Sequence, residues 1–330
     1  MLEAMKPGLA LCRRQELRLE TERGEILTGL EKSGFRVREI ADGEWDPATE
    51  SNLLVAGNLN WFPKLRRQLL ERGKPAGTRV AIWHTEPLPP PDSSGLRWPL
   101  PTFRDLAKIV LRDRRATDIY TNYFLLRALA RKRLPDVLAV STRSRLEFLQ
   151  ERGIRACHLP LGYEPACGDD LDLTRDIDVF FLGDLRVPRR KRLLADLRAQ
   201  GIAVRSAGDW SAADLWGEAR TKLLNRVRIF LNLQRFPGEF SGLRFLLGMA
   251  NGALVLSEPV HDPHPFAAGE HFVSASLEEM PSVIRAYLND EEERRRIARA
   301  AHRFVTTQLR MDRSVTALAD MIAEESPVLG

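Results

Sequence analysis

The sequence has few cysteines, no long apolar run and no P-loop. Its 330 residues include three cysteines, Cys12, Cys157 and Cys167, without CxxC or Cys/His metal spacing, so we interpret them as reduced thiols. No apolar run approaches the ~20 residues that a membrane-spanning helix needs. The pattern GxxxxGKS/T is absent, which argues against P-loop phosphoryl transfer. Because the N-terminus also shows no secretory signal pattern, the sequence predicts a cytoplasmic protein.

The composition is that of an ordinary globular chain. Hydrophobic residues make up 44% and charged residues 29%, which excludes disordered and fibrous classes. A typical domain has roughly 100–200 residues, so the length predicts two domains.

Positive charge is concentrated in the first half of the chain. Residues 1–165 carry 28 basic and 21 acidic side chains, whereas residues 166–330 carry 22 and 24. Between Arg104 and Arg133, nine Lys/Arg face three Asp. This region could attract an acidic, lipid-linked or protein acceptor and hold the protein at the inner membrane surface, although a plain solvated face is the alternative. No aromatic stacking series interleaves the basic residues, so a nucleic-acid partner is not favoured.

Short apolar runs alternate with longer segments of helical periodicity, which is typical of parallel sheets covered by helices. The fold class predicted is α/β, with two doubly wound Rossmann-like domains facing a cleft. The runs read as strands are 53–57, 79–84, 137–141, 177–183, 229–233 and 253–258. The segments read as helices are 62–72, 103–115, 144–152, 189–200, 243–250, 280–288 and 291–306. A polar stretch without periodicity at 166–176 is the predicted linker between domains 1–165 and 177–330, with the alternative that the final helix returns to the N-terminal domain.

Several basic residues follow the predicted strand 177–183 at the entry of a helix. Ligands of open parallel sheets bind beyond the carboxyl ends of the strands, and helix N-termini attract anions. The segment therefore predicts a diphosphate-binding site, with a solvated basic cluster as the alternative. Its residues are Gly183, Arg186, Arg189, Arg190 and Lys191.

His84 and Glu86 follow another predicted buried strand and precede a proline-rich loop. An imidazole with a carboxylate two residues later can take a proton from an acceptor hydroxyl. We therefore predict that both residues act in catalysis or acceptor binding, with a hydrogen-bonded strand cap as the alternative.

Three motifs in the second half resemble a known family. They are RFPGE at 235–239, GALVLSE at 252–258 and PFAAGEHFV at 265–273. Their order resembles the nucleotide-sugar site of GT-B fold glycosyltransferases, most of all the spore-maturation-type group. The resemblance implies a nucleotide-sugar donor in the C-terminal domain, an acceptor in the N-terminal domain, no cofactor and no metal.

The resemblance also implies roles for individual residues. Retaining members of the superfamily carry two glutamates eight residues apart; Glu239 matches the sugar-side one, and Leu247 stands where the ribose-side one is expected. The donor-binding residues that it implies are Arg235, Gly238, Arg244, Glu258 and His271. The function predicted is metal-independent, retaining sugar transfer to an unidentified acceptor. The alternative is a non-catalytic sugar-nucleotide or glycan-binding subunit.

Overall fold

The computed structural model describes residues 6–13, 24–91, 100, 101, 103, 106, 107, 119–208 and 215–324. These residues form two compact units. Among the described residues, the first unit takes 6–90, the residues between 100 and 160, and 311–324, while the second takes 91 and 161–310. The roles predicted for the two domains, acceptor and donor binding, stay predictions.

The first unit is a parallel sheet of six strands in the order β2-β1-β3-β4-β5-β6. The strands are β1 (Gly8–Arg13), β2 (Arg36–Glu39), β3 (Asn52–Ala56), β4 (Arg79–His84), β5 (Val137–Val140) and β6 (Cys157–His158). The helices are α1 (Gly24–Lys32), α2 (Pro63–Arg72), α3 (Ile119–Arg131), α4 (Arg143–Gln150) and α10 (Met311–Ala323). Every residue of β1 and β3 is buried, as expected for strands of a parallel sheet covered on both faces.

The last helix, α10, belongs to the first unit although it ends the described chain. It packs on α1 at Gly29, where a Cβ would lie 2.6 Å from the Val315 Cγ1 atom. The Ser314 hydroxyl donates a hydrogen bond of 2.9 Å to the Pro160 carbonyl. Close backbone approach at a glycine therefore fixes this helix beside the start of the chain.

The second unit is a parallel sheet of five strands in the order β11-β10-β9-β7-β8. The strands are β7 (Ile177–Leu182), β8 (Val204–Ala207), β9 (Val227–Asn232), β10 (Leu254–Ser257) and β11 (Val273–Ser274). The helices are α5 (Pro188–Ala199), α6 (Gly217–Asn225), α7 (Gly242–Ala250), α8 (Met280–Asn289) and α9 (Glu291–Thr307). The strand order places β7, β9 and β10 side by side, which brings their carboxyl ends to one edge of the sheet.

Helix α7 lies unusually close to this sheet. A Cβ on Gly248 would approach Val255 Cγ2 to 2.7 Å and Phe230 Cδ1 to 2.8 Å, so only glycine fits. The core on this side includes Phe245, Leu247 and Phe272, all almost fully buried. This packing fixes the start of α7, and with it Arg244, beside the end of β9.

The segment predicted as a linker is bound to the second unit by two buried asparagines. Asn225 Oδ1 accepts from the Leu171 N–H at 2.6 Å, and its Nδ2 donates to the Asp169 carbonyl at 2.8 Å. Asn251 Nδ2 donates to the Cys167 carbonyl at 2.9 Å. Buried amides thus satisfy backbone groups of a segment that has no regular structure beyond the 3-10 helix at Pro165–Cys167.

The fold class predicted from the sequence is confirmed: each unit is a parallel α/β layer structure. Most of the predicted helix 103–115, and with it the part of the basic region that precedes α3, lies outside the described residues. Within the part of the chain that the structure describes, no helix is both long enough and apolar enough to cross a membrane.

Candidate functional site

The carboxyl ends of β7, β9 and β10 carry a concentration of charged side chains. This is the edge where parallel α/β sheets bind ligands. Arg190 comes from the first turn of α5, Arg244 from the first turn of α7 and Glu239 from the loop between β9 and α7. Two neighbouring strand ends, those of β7 and β9, therefore contribute to one cluster, which we call the arginine site: Arg190, Arg235, Glu239 and Arg244.

Two arginines of the site, Arg190 and Arg244, donate hydrogen bonds to the same backbone carbonyl. The Arg190 Nε–H and an Arg244 Nη1–H each donate to the Leu233 carbonyl at 3.0 Å. Arg244 also donates to Asn232 Oδ1 at 2.7 Å, and Asn232 in turn donates to Ser257 Oγ at 2.8 Å. The end of β9 thus holds two guanidinium groups side by side.

Burial disfavours the charged forms of these two guanidinium groups. It lowers the pKa of Arg190 to about 9, and the neighbouring Arg244 guanidinium adds to the shift. Burial also lowers the pKa of Arg244. Since the protonated forms are disfavoured, an anion that neutralised them would bind favourably.

Glu239 is the carboxylate of the arginine site. It is 7% exposed and acts electrostatically on both Arg190 and Arg244, opposing the depression of their pKa values. Its loop is set by a hydrogen bond from the Glu239 N–H to the Phe236 carbonyl, and Gly238 adopts a φ of 79° that favours glycine. Among the described residues, no side chain or backbone group donates a hydrogen bond to its carboxylate. The site itself holds one carboxylate and three guanidinium groups, and Asp184 and Glu258 act electrostatically on it from outside.

Arg189 and Glu258 bind each other. Both Arg189 terminal nitrogens donate to the Glu258 carboxylate, with the Nη1 contact to Oε1 at 2.7 Å. Arg189 also donates to the Gln234 carbonyl at 3.0 Å, and Glu258 Oε1 accepts from the Gln234 N–H at 2.6 Å. The structure shows that this pair holds the chain after β9. The predicted role of both residues in donor binding stays a prediction.

The other predicted donor-binding residues fall into two groups. Arg235 lies near Arg190, whose pKa it helps to lower, and its guanidinium lies 5.3 Å from the Phe236 ring centroid. Gly183 follows β7, and a Cβ there would lie 3.5 Å from Arg190 Nη1. Arg235 is thus part of the arginine site, and Gly183 borders it, as does Gly238 through the Glu239 loop.

Three predicted residues have other surroundings. Arg186 is highly exposed and pairs with Asp184, and Lys191 is exposed on α5. His271 stacks on Phe304 with ring centroids 4.3 Å apart, and its Nδ1 accepts from the Ala267 N–H at 3.1 Å. Burial lowers the pKa of His271. These contacts do not join them to the arginine site.

Leu247 is an apolar core residue. It is 1% exposed and packs among the aromatic side chains behind α7. The position at which the resemblance expects a ribose-side carboxylate thus contributes to packing. Any hydrogen bond to ribose must come from another residue.

At the carboxyl end of β4, His84 is buried and uncharged. Burial lowers its pKa to about 3, and the nearby Arg145 guanidinium adds to the shift. Its Nε2 is buried and has no hydrogen-bond partner in the described part of the chain. Arg145 is fixed close by, with its Nη1 donating to the Thr85 carbonyl at 2.7 Å and to Ser141 Oγ at 2.5 Å. An imidazole with this pKa is a weak base at neutral pH, which favours a positioning role over proton abstraction. The assignment of His84 and Glu86 to an acceptor stays a prediction.

We expect His84→Gln to reduce the acid sensitivity of folding. Between the ordinary pKa of 6.5 and the folded value of about 3, the unfolded chain binds a proton that the folded chain does not. The stability contributed by neutral His84 is therefore complete above pH 6.5 and lost as the pH falls towards 3, by about 2 kcal/mol at pH 5. Urea unfolding at pH 7 and pH 5 should show a larger drop in midpoint for the parent than for the variant. Equal drops would contradict the burial of a neutral imidazole.

Three residues near the carboxyl ends of the two sheets were not predicted from the sequence: Asn232, Gln234 and Arg145. Two amides at the end of an apolar strand, as in IFLNLQ, are the signal that could have identified the first two. For Arg145 the sequence holds no such signal, because its partners Thr85 and Ser141 are brought together only by the pairing of β4 with β5.

Part of the chain, most of it in the second unit, matches a known family. Residues 189–320 match the family described as glycosyl transferase-like. No curated protein matches the chain. The matched region contains α7, all of α5 except its first residue, and the whole arginine site.

Solved structures share the fold of the chain at low sequence identity. Sucrose-phosphate synthase from Thermosynechococcus elongatus has a TM-score of 0.61 and 12% identity over 96% of this chain and 98% of that chain. HepE from Anabaena, solved with UDP and glucose, has a TM-score of 0.60 and 12% identity over 95% and 99%. TarM has a TM-score of 0.57 and 10% identity over 83% of this chain, which spans 55% of TarM.

The chain shares the GT-B fold with these solved structures, and its residues 189–320 match the glycosyl transferase-like family. The resemblance to GT-B enzymes drawn from the sequence motifs is confirmed. The comparisons do not single out the spore-maturation-type group, which stays a prediction.

Proposed function

We propose that the protein transfers a sugar from a nucleotide-sugar donor to an acceptor, with the donor diphosphate bound at the arginine site. The observation that carries the proposal is the pair of guanidinium groups, Arg190 and Arg244, fixed on one carbonyl with their pKa values lowered. Guanidinium groups form charge-assisted hydrogen bonds with phosphate oxygens. A diphosphate supplies the negative charge that this site lacks.

The same groups would assist the chemical step. Breaking the bond between sugar and diphosphate increases negative charge on the leaving group, and fixed positive charges beside it stabilise the transition state. We propose that arginines supply this charge in place of a metal ion. Glu239, which matches the sugar-side carboxylate of retaining enzymes, supports retention of configuration at the transferred carbon.

For the acceptor, we propose a group that carries negative charge or a lipid. Support comes from the excess of basic residues between Arg104 and Arg133. Nearby, Leu100 and Phe103 are 86% and 93% exposed, about twice the exposure of any other large hydrophobic side chain in the described residues. Exposed apolar residues that lie close to basic residues in the sequence favour a surface that binds acidic lipid. Glycosylation at the inner membrane surface follows from this proposal.

Release of nucleoside diphosphate tests the function and distinguishes it from a binding subunit. The purified protein should release diphosphate from a matching nucleotide-sugar, and lipid-linked or acidic acceptors should accelerate the release. Leu247 in the core is the observation that favours the non-catalytic alternative, because the expected ribose-side carboxylate is missing. Tight donor binding without release, across a panel of sugars and acceptors, would support that alternative.

A further inference from the structure

The chain just beyond β9 uses its backbone polar groups to hold the arginine site together. The Gln234 N–H donates to Glu258 Oε1 at 2.6 Å, and the Gln234 carbonyl accepts from Arg189 at 3.0 Å. The preceding carbonyl, that of Leu233, accepts from Arg190 and Arg244. The backbone of Gln234 is therefore fixed next to the guanidinium pair.

The Gln234 side chain, in contrast, is not used by the fold. It is 1% exposed, and within the part of the chain that the structure describes neither its Oε1 nor its Nε2 has a hydrogen-bond partner. Buried side-chain amides almost always have partners, because leaving one unpaired destabilises the folded state. A polar group that weakens the fold at a binding edge is best explained by a ligand.

We propose that the Gln234 amide binds sugar hydroxyls of the donor, on a group attached directly to the diphosphate. The inference rests on the proposed function. An amide offers both donors and an acceptor, and hydroxyls match both, whereas phosphate oxygens can only accept and would leave Oε1 unpaired. Because Gln234 directly follows the carbonyl that fixes the guanidinium pair, it lies near the diphosphate. The groups bonded to a diphosphate in such a donor are the ribose and the transferred sugar; the base lies beyond the ribose.

Gln234→Met tests the proposal, because methionine keeps the length of the side chain and removes its hydrogen-bonding groups. Calorimetry should compare pyrophosphate, nucleoside diphosphates and nucleotide-sugars on the full-length protein. We expect the variant to lose about tenfold in affinity for the nucleotide-sugar, the value of one to two neutral hydrogen bonds, with pyrophosphate affinity unchanged. Its melting temperature should equal or exceed that of the parent, since an unpaired buried amide is removed. Gln200→Met, the same change at an exposed position of the second unit, should alter neither the nucleotide-sugar affinity nor the melting temperature.

Comparing the affinities for these ligands shows whether the hydroxyls belong to the ribose or to the transferred sugar. A loss that already occurs with the nucleoside diphosphate assigns the contact to ribose, and a loss confined to the nucleotide-sugar assigns it to the transferred sugar. Unchanged nucleotide-sugar affinity would overturn the proposal. So would an equal loss for pyrophosphate, a lower melting temperature, or a loss that varies with the base. If the parent binds none of the nucleotides, the proposed function fails and this inference fails with it.

Discussion

Replacing Arg190 with methionine is expected to weaken nucleoside diphosphate binding about 100-fold, because a charge-assisted contact contributes about 1.5–3 kcal/mol and each 1.4 kcal/mol is a factor of ten. The fold should not suffer. Burial lowers the pKa of Arg190 to about 9, so its positive charge costs free energy in the folded state. Methionine keeps an apolar stem near Phe181, and the Leu233 carbonyl retains its hydrogen bond from Arg244. Titration calorimetry and thermal unfolding of the same samples measure both effects.

Lys191→Met is the matched control for Arg190→Met. It removes the same charge from the next residue of α5, but Lys191 is exposed and outside the arginine site. We expect its effect to stay within about threefold, since an exposed charge is screened by solvent. Unchanged affinity in Arg190→Met, or equal losses in the two variants, would show that the diphosphate does not bind at this carbonyl.

Glu239→Gln is expected to lower turnover by at least about 100-fold while leaving diphosphate affinity unchanged or higher. An interaction realised mainly in the transition state affects the rate, and loss of one fixed electrostatic group at a reacting centre typically costs about 10²–10³. Affinity should not fall, because Glu239 opposes the positive charge of Arg190 and Arg244 and its neutralisation leaves more of that charge for the ligand. The measurement pairs steady-state rates of diphosphate release with calorimetry.

Glu292→Gln, at an exposed position of α9, is the control for the loss of one carboxylate from the second unit. Its turnover should match that of the parent. Glu239→Gln with parental turnover would remove Glu239 from the reaction. A parallel fall in affinity and turnover would instead make it a part of the binding site.

The strands around the arginine site could be predicted because their sequences are short apolar runs followed by polar residues. The predicted strands 177–183, 229–233 and 253–258 correspond to β7, β9 and β10. Strand β1 was not predicted, although its apolar run at 9–12 is also followed by polar residues. It contains Arg13, which is 7% exposed and pairs with Glu39, and that partner is adjacent only because β2 lies beside β1. A partly buried ion pair between two strands cannot be identified from either strand alone.

In the candidate site too, contacts between residues from different strands could not be identified from the sequence. Gly183, Arg190, Glu239 and Arg244 could be identified as neighbours because each follows a strand end at one edge of a parallel sheet. The pairing of Arg189 with Glu258 could not, since the two are 69 residues apart and meet only through the strand order β10-β9-β7. At Leu247 the motif position implies a residue that contacts the ribose, but helix packing places this side chain in the core.

The central claim is that the second unit binds the diphosphate of a nucleotide. A thermal-unfolding panel of the intact protein with nucleosides, monophosphates, diphosphates and pyrophosphate tests it most directly. A diphosphate held at 100 times the parent's dissociation constant should stabilise the parent by about 2.7 kcal/mol and Arg190→Met, with its 100-fold weaker binding, by only about 0.4 kcal/mol. Nucleosides without phosphate should give little or no shift. Stabilisation by nucleosides alone, or an equal response of parent and Arg190→Met to diphosphates, would contradict the account.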